Sequence, residues 1–143
     1  MMRGRSYRAR GFTLLELLVV VVIIGMLVAY VAPRYFQQVG KSERTAAAAQ
    51  MDALRKSIDA YWLDTGHFPA MEHGLKALTT RPDGEVKWHG PYLQRTAPLD
   101  PWGHPYVYRV PGASGDYDLV SYGKDGKPGG EGEDADLGID AGQ

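Results

Sequence analysis

Carboxylates are the side chains in this chain best placed to do chemistry, and they occur in two contrasting settings. Glu16 is the only charged residue in the apolar run from Phe12 to Ala32. An ionisable group inside such a run is costly and calls for a specific partner. At the other end, Asp125, Glu131, Glu133, Asp134 and Asp136 fall within twelve residues, among glycines at 123, 126, 129, 130 and 132. Hard oxygen donors on a flexible loop suit Ca²⁺, which accepts irregular coordination by six to eight oxygens. A solvated acidic tail has the same composition. The acid spacing excludes an EF-hand, because the closing glutamate is absent. Other constellations are missing. His67, His73, His89 and His104 sit in separate segments without ligand spacing, and read as surface or loop-packing residues. Ser114 is followed directly by Gly115, so it is no nucleophile elbow. No Gly-Lys-Ser/Thr follows the late glycines, and Gly130 breaks their three-residue period, which excludes a phosphate loop and collagen. The residues offer no catalytic site, and an enzyme is not expected.

The elements that must position these groups are legible along the chain. Phe12 to Ala32 is 21 residues, about 31 Å as an α-helix and close to the hydrocarbon thickness of a bilayer. Residues 1–11 precede it with Arg3, Arg5, Arg8 and Arg10 and no acid. That basic flank predicts a cytoplasmic N-terminus, a single span, and a C-terminal bulk across the membrane. Subtracting this +4 from the total of −1 leaves −5 on the rest, which argues against nucleic acid as a partner. Pro33 would remove one backbone hydrogen bond and bend the helix. Beyond it, Ala47, Met51, Leu54, Ile58 and Tyr61 recur at helical spacing, opposite a charged face. Thr65-Gly66 followed by Pro69 reads as the stop. The spacing predicts a helix from Phe12 to about Asp64, although two helices with a break near Gly40 fit the pattern as well.

Residues 67–105 are proline-rich, with a short helix expected over Glu72–Thr79. Tyr106–Val110 and Tyr117–Tyr122 alternate, and Pro111–Gly115 between them predicts an antiparallel hairpin packed on the stripe of Met51, Leu54 and Ile58. With no cysteine, no disulfide can brace so small a domain, which invites another staple such as a metal or oligomerisation. The expected fold is α+β. A long N-terminal helix (transmembrane over 12–33, amphipathic over 34–66) packs on a small domain, 67–143, with a short antiparallel sheet and an acidic C-terminal loop.

Gly11-Phe12-Thr13-Leu14-Leu15-Glu16, after a basic leader and before an apolar run, resembles the cleavage motif of type IV pilins and pseudopilins. Downstream, Leu63–Pro69, Glu72–Leu78, Gly90–Leu93, Leu99–Gly103 and Asp118–Gly126 are similar to the major pseudopilins of type II secretion, so the resemblance covers essentially the whole chain. It implies removal of residues 1–11 by a prepilin peptidase, with the cut between Gly11 and Phe12 and N-methylation of Phe12. It also implies a homopolymer that leaves the inner membrane as a periplasmic filament, works with minor pseudopilins and an inner-membrane assembly platform, and exports folded proteins. Cleavage creates an α-amino group four residues before Glu16. A carboxylate at about 4 Å, at an effective dielectric near 20, gains about 4 kcal/mol from that charge before desolvation. The pair can form within one chain or with the next subunit, and a glutamate that snorkels without a partner is the alternative.

The resemblance further implies calcium, held by the Tyr122 carbonyl and Asp125 on one side and by Asp134 and Asp136 on the other. The pattern departs from the family here: the glycine-rich insert is longer, Ala135 separates the two late aspartates, and no tryptophan follows them. Two other classes share part of the pattern. A type IV pilin for adhesion or motility has the same leader but normally carries paired C-terminal cysteines. A signal-anchored periplasmic binding domain needs a concave polar site.

Overall fold

The computed structural model describes residues 11–113 and 115–138, with Gln37 described by its backbone only. The leader residues 1–10 and Ile139 lie outside the described residues. The elements are one α-helix, α1 (Leu14–Thr65), a 3₁₀ segment at Gly74–Leu78, strands β1 (Val107–Arg109) and β2 (Asp118–Val120), and a second 3₁₀ segment at Gly132–Asp134. α1 has 52 residues and includes Pro33, so the expected single helix forms and no break occurs at Gly40. It begins two residues later than expected. Thr13 is the reason: its hydroxyl accepts from the Glu16 amide at 3.2 Å and its carbonyl from the Leu17 amide at 3.2 Å, so Thr13 caps the helix and Phe12 stays outside it.

The chain divides into two compact units at Gln38/Val39. In the first, the apolar side chains from Leu14 to Val31 are exposed, as a lipid-facing or partner-facing segment requires. The Arg34 guanidinium lies 5.0 Å from the Tyr30 ring centroid, one turn back. In the second unit, Ala47, Met51, Leu54, Ile58 and Tyr61 of α1 are all buried, as their spacing predicts. Met51, Leu54, Ile58 and Tyr61 form one core with Ala77, Leu78, Tyr106, Tyr108, Tyr117 and Leu119. Burying each larger aliphatic side chain contributes about 1.5–3 kcal/mol. Aromatic packing extends the core: Phe68 lies between Trp62 and Tyr117, with centroids 6.1 and 5.1 Å away.

The hairpin forms with Tyr108 opposite Leu119, but each strand has only three residues. Pro105 and Pro111 flank β1, and neither can donate to a ladder. The chain beyond β2 pairs differently, through a bridge between Ser121 and Leu137 that fastens the C-terminal segment to the sheet. The helix expected over Glu72–Thr79 is instead the shorter 3₁₀ segment. Gly74 stands at φ +50°, which a right-handed helix cannot continue through, so Glu72 and His73 belong to the preceding turn.

Five tyrosines give this core a pH signature. Burial pushes the phenols of Tyr61, Tyr92, Tyr108 and Tyr117 upward, and burial with the nearby Asp100 charge raises Tyr106 to about 12. Ionisation is therefore harder in the folded chain than in the unfolded one, where the ordinary value is 10.0. The stability these neutral phenols confer is complete below pH 10 and is lost as pH rises through the raised folded values. Thermal melts from pH 9 to 12 are expected to show a falling midpoint above about pH 10, with tyrosinate absorbance appearing together with unfolding. Tyrosinate absorbance that develops fully before any unfolding would refute it.

Candidate functional site

At the N-terminal site, Gly11 and Phe12 lie in irregular, exposed backbone before the Thr13 cap. The Gly11–Phe12 bond is thus free of helical hydrogen bonds. A Cβ at Gly11 would meet nothing within 4 Å, so the fold itself places no demand for glycine there. Glu16 is exposed in the first turn, where the helix dipole favours a carboxylate. Thr13 and Glu16 have the spacing of a capping box, whose hydroxyl-to-amide half is formed. That signal stood in the sequence and the reading of the motif passed over it.

The C-terminal loop runs from Tyr122 to Asp136 and is closed by its own backbone. The Lys124 amide donates to the Glu133 carbonyl at 3.1 Å, and the Lys124 ammonium pairs with the Glu133 carboxylate at 2.6 Å, which raises the lysine pKa. Gly123 stands at φ +67° with the Asp134 backbone against it, where a Cβ would come within 2.9 Å of the Asp134 carbonyl. Only glycine lets the two ends of the loop approach this closely. The structure therefore brings the Tyr122–Gly123 turn against Asp134. Asp136 Oδ2 accepts from the Gly129 amide across the insert at 3.0 Å. Asp125 is exposed and accepts from the Lys127 amide of its own turn at 3.0 Å.

Among the described residues, no three His, Cys, Asp or Glu side chains converge into a metal-holding group. Two features of the loop nevertheless fit a hard cation. Asp136 Oδ1 is buried with no hydrogen-bond partner among the described residues, and a buried acceptor left unpartnered is costly. The Tyr122 carbonyl accepts no hydrogen bond from the described residues. These two features leave the Tyr122 carbonyl and Asp136 Oδ1 open to such an ion; Asp125 and Asp134 are the acids on the same glycine-rich loop that would have to join them.

Beneath the loop lies a polar hub that sequence reasoning missed. Asp100 is 4% exposed. Its Oδ1 accepts from the amides of Trp102 (3.1 Å) and His104 (2.8 Å), and its Oδ2 from the Ser121 hydroxyl (2.6 Å). The same Ser121 oxygen accepts from the Gly123 amide at 3.3 Å, and His104 Nδ1 donates to the Gly123 carbonyl at 3.2 Å. The serine bonds the aspartate rather than the histidine and is fully buried, so these three side chains make no nucleophile. They fix the start of the loop. Leu99-Asp100-Pro101-Trp102-Gly103 marks the place in sequence, but nothing local reveals its partner 21 residues on.

Comparison with known proteins gives a consistent result. Residues 34–140 match the family model described as type II secretion system (T2SS), protein G, and residues 6–32 match the prokaryotic N-terminal methylation motif. The chain is 41% identical over 131 residues to the type II secretion system core protein G of Pseudomonas aeruginosa, covering 90% of this chain and 92% of that protein. It is 38% identical over 135 residues to the core protein G of Escherichia coli K12, covering 92% and 93%. The fold is similar to the crystal structure of the major pseudopilin from the type 2 secretion system of enterohaemorrhagic Escherichia coli. The TM-score is 0.58 and the identity 34%, over 69% of this chain and 87% of that one.

Proposed function

Because this chain belongs to the type II secretion system protein G family, we propose that it polymerises into the periplasmic pseudopilus after a prepilin peptidase cuts between Gly11 and Phe12 and methylates Phe12. It is a structural subunit of the secretion system and not an enzyme. The observation that carries the reading is the order of the two family matches in one chain. A methylation motif over 6–32 leads directly into the protein G region from residue 34. The exposed, non-helical Gly11–Phe12 bond suits a peptidase, and the uncovered apolar helix suits both a bilayer and a bundle of identical helices. In this reading the N-terminus is cytoplasmic before cleavage, the second unit is periplasmic, and the filament grows from an inner-membrane platform together with minor pseudopilins.

The chain has no cysteine, which makes the test clean. Single cysteines placed in the apolar helix should give cross-linked ladders in cells that hold the secretion system and its peptidase. A chain that is processed but stays monomeric would overturn the filament reading. Long adhesive surface fibres formed without the secretion apparatus would favour a type IV pilin instead.

Calcium belongs to the same proposal. The Tyr122 carbonyl and the carboxylates of Asp125, Asp134 and Asp136 would hold it, and the ion would supply the staple that a disulfide cannot. The buried Asp136 Oδ1, without a hydrogen-bond partner among the described residues, supports this. A ligand that binds only the folded state raises stability by RT ln(1 + [L]/Kd), about 2.7 kcal/mol at a hundredfold excess over Kd. The full chain in detergent micelles should melt several degrees higher in calcium than in chelator, and Asp125→Ala and Asp136→Ala should each remove the difference. Equal midpoints for the wild-type chain in the two conditions would leave the acidic loop a solvated tail.

A further inference from the structure

The acidic loop is held to α1 by one side chain that no sequence motif announces. Arg44 Nη1 donates to the Gly132 carbonyl at 2.8 Å and to the Ala135 carbonyl at 3.0 Å, spanning 88 and 91 residues of sequence. These two oxygens flank Glu133 and Asp134, so one nitrogen pins both ends of the 3₁₀ segment Gly132–Asp134. One turn earlier on the same helical face is Gly40, which is buried. A Cβ there would occupy the place of the Glu133 carboxylate, so glycine at 40 leaves the slot in which Glu133 crosses the helix to reach Lys124. Glu43 completes the face: its Oε2 accepts from Trp102 Nε1 at 2.9 Å, tying in the turn that contains Asp100.

We propose that Arg44, seated beside the Gly40 slot, is a positioning residue that arranges Asp134 and Asp136 for a divalent cation before the cation arrives. The inference rests on the calcium reading above. Between Tyr122 and Gly138 the loop carries five carboxylates against two lysines, a net charge of −3 that opposes closure. The guanidinium brings a fixed positive charge to that loop. It also withdraws the Gly132 and Ala135 carbonyls from competition, leaving the Tyr122 carbonyl and the aspartates to the ion. With both ends of the segment fixed, Asp134 stays against Gly123, and Asp136 follows one residue after the clamped Ala135. Partners that orient metal ligands in this way typically change metal affinity by 10- to 100-fold when removed.

The test uses the full chain in detergent micelles, with terbium as a luminescent substitute for calcium sensitised by neighbouring aromatic side chains. Arg44→Gln should raise the terbium half-saturation roughly tenfold, and amide exchange over residues 132–138 in chelator should quicken. The midpoint of melting at saturating calcium should return to within a few degrees of the wild-type value. Arg44→Lys keeps the charge on a shorter stem and should restore part of the affinity, which a merely structural loss would not show. A wild-type response that Arg44→Gln leaves unchanged, in affinity and in exchange, overturns the inference alone. No terbium response in the wild-type chain overturns the calcium reading and this inference with it.

Discussion

Replacing Asp100 with alanine is expected to cost about 3–5 kcal/mol of folding stability, because three donors lose their common buried acceptor. The carboxylate is the common acceptor for the Ser121 hydroxyl and the amides of Trp102 and His104, at 2.6–3.1 Å. Hydrogen bonds to a charged group contribute about 1.5–3 kcal/mol each, and a buried donor left without an acceptor costs about 1–3 kcal/mol. Alanine removes the acceptor and leaves three donors in a place where Asp100 itself was 4% exposed. Water can reach some of them through the cavity, so the sum falls short of three full penalties. Domains of this size have only about 5–15 kcal/mol of stability in total. The second unit should therefore melt on the order of 15 °C lower or more. Asp100→Asn keeps the shape and the oxygen that both amides reach, and the Ser121 hydroxyl can turn to accept from the new amide nitrogen, so it should cost less than alanine. Urea unfolding of the two variants measures this directly. A loss under about 1 kcal/mol for both would mean that the hub is no stronger than an exposed ion pair. Because Ser121 and His104 both hold Gly123, the variants should also loosen the acidic loop, which amide exchange at residues 123–126 would report.

How much of this was readable beforehand depends on the range of the interactions. The α1 stripe was legible because a helix repeats its buried face every three or four residues, and Ala47, Met51, Leu54, Ile58 and Tyr61 are all buried as that period requires. The hairpin was legible because Tyr106 and Tyr108, and Tyr117 and Leu119, stand two residues apart in strand-forming runs either side of a turn, and all four end on one core. The hexapeptide at Gly11–Glu16 was legible as a family motif, while its capping function was visible in Thr13 and went unread. The short helix failed at one backbone angle, the positive φ of Gly74, which a sequence pattern does not register. The Arg44 clamp and the Asp100–Ser121 bond failed for a different reason. They join residues 88, 91 and 21 positions apart: the Ser121–Leu137 bridge fastens the C-terminal segment whose Gly132 and Ala135 meet Arg44, and the hairpin places Ser121 at the turn that holds Asp100. The acids of the loop were found by composition, but the arginine that clamps the loop's carbonyls lies in a helix where a charged residue looks like ordinary solvated surface.

Glu16→Gln is expected to leave the isolated subunit folded and cleaved but to weaken filament formation by at most about a thousandfold. Glu16 is exposed, and the Thr13 hydroxyl that caps its amide is untouched by the change, so α1 should start at the same residue. The loss falls on association. After cleavage the Phe12 amine is a positive charge carried into a low-dielectric helix bundle, where an unpaired charge is costly. Pairing with a carboxylate at about 4 Å gains at most about 4 kcal/mol at an effective dielectric near 20, before desolvation is set against it, and every 1.4 kcal/mol is a factor of ten in the association constant. Glutamine keeps the length and the hydrogen bond but removes the charge, so it isolates that contribution. Blocking the amine should have the same effect as Glu16→Gln, and the two together should be no worse than either, since they remove one interaction. Mixed expression then separates the two geometries. If the pair joins neighbouring subunits, each variant chain breaks one contact, and small fractions should shorten wild-type filaments. If the pair lies within one chain, a variant subunit weakens only its own entry. Filaments that form normally from Glu16→Gln, counted by cross-linking through single cysteines in the apolar helix, would reduce Glu16 to a glutamate that reaches the membrane surface without a partner.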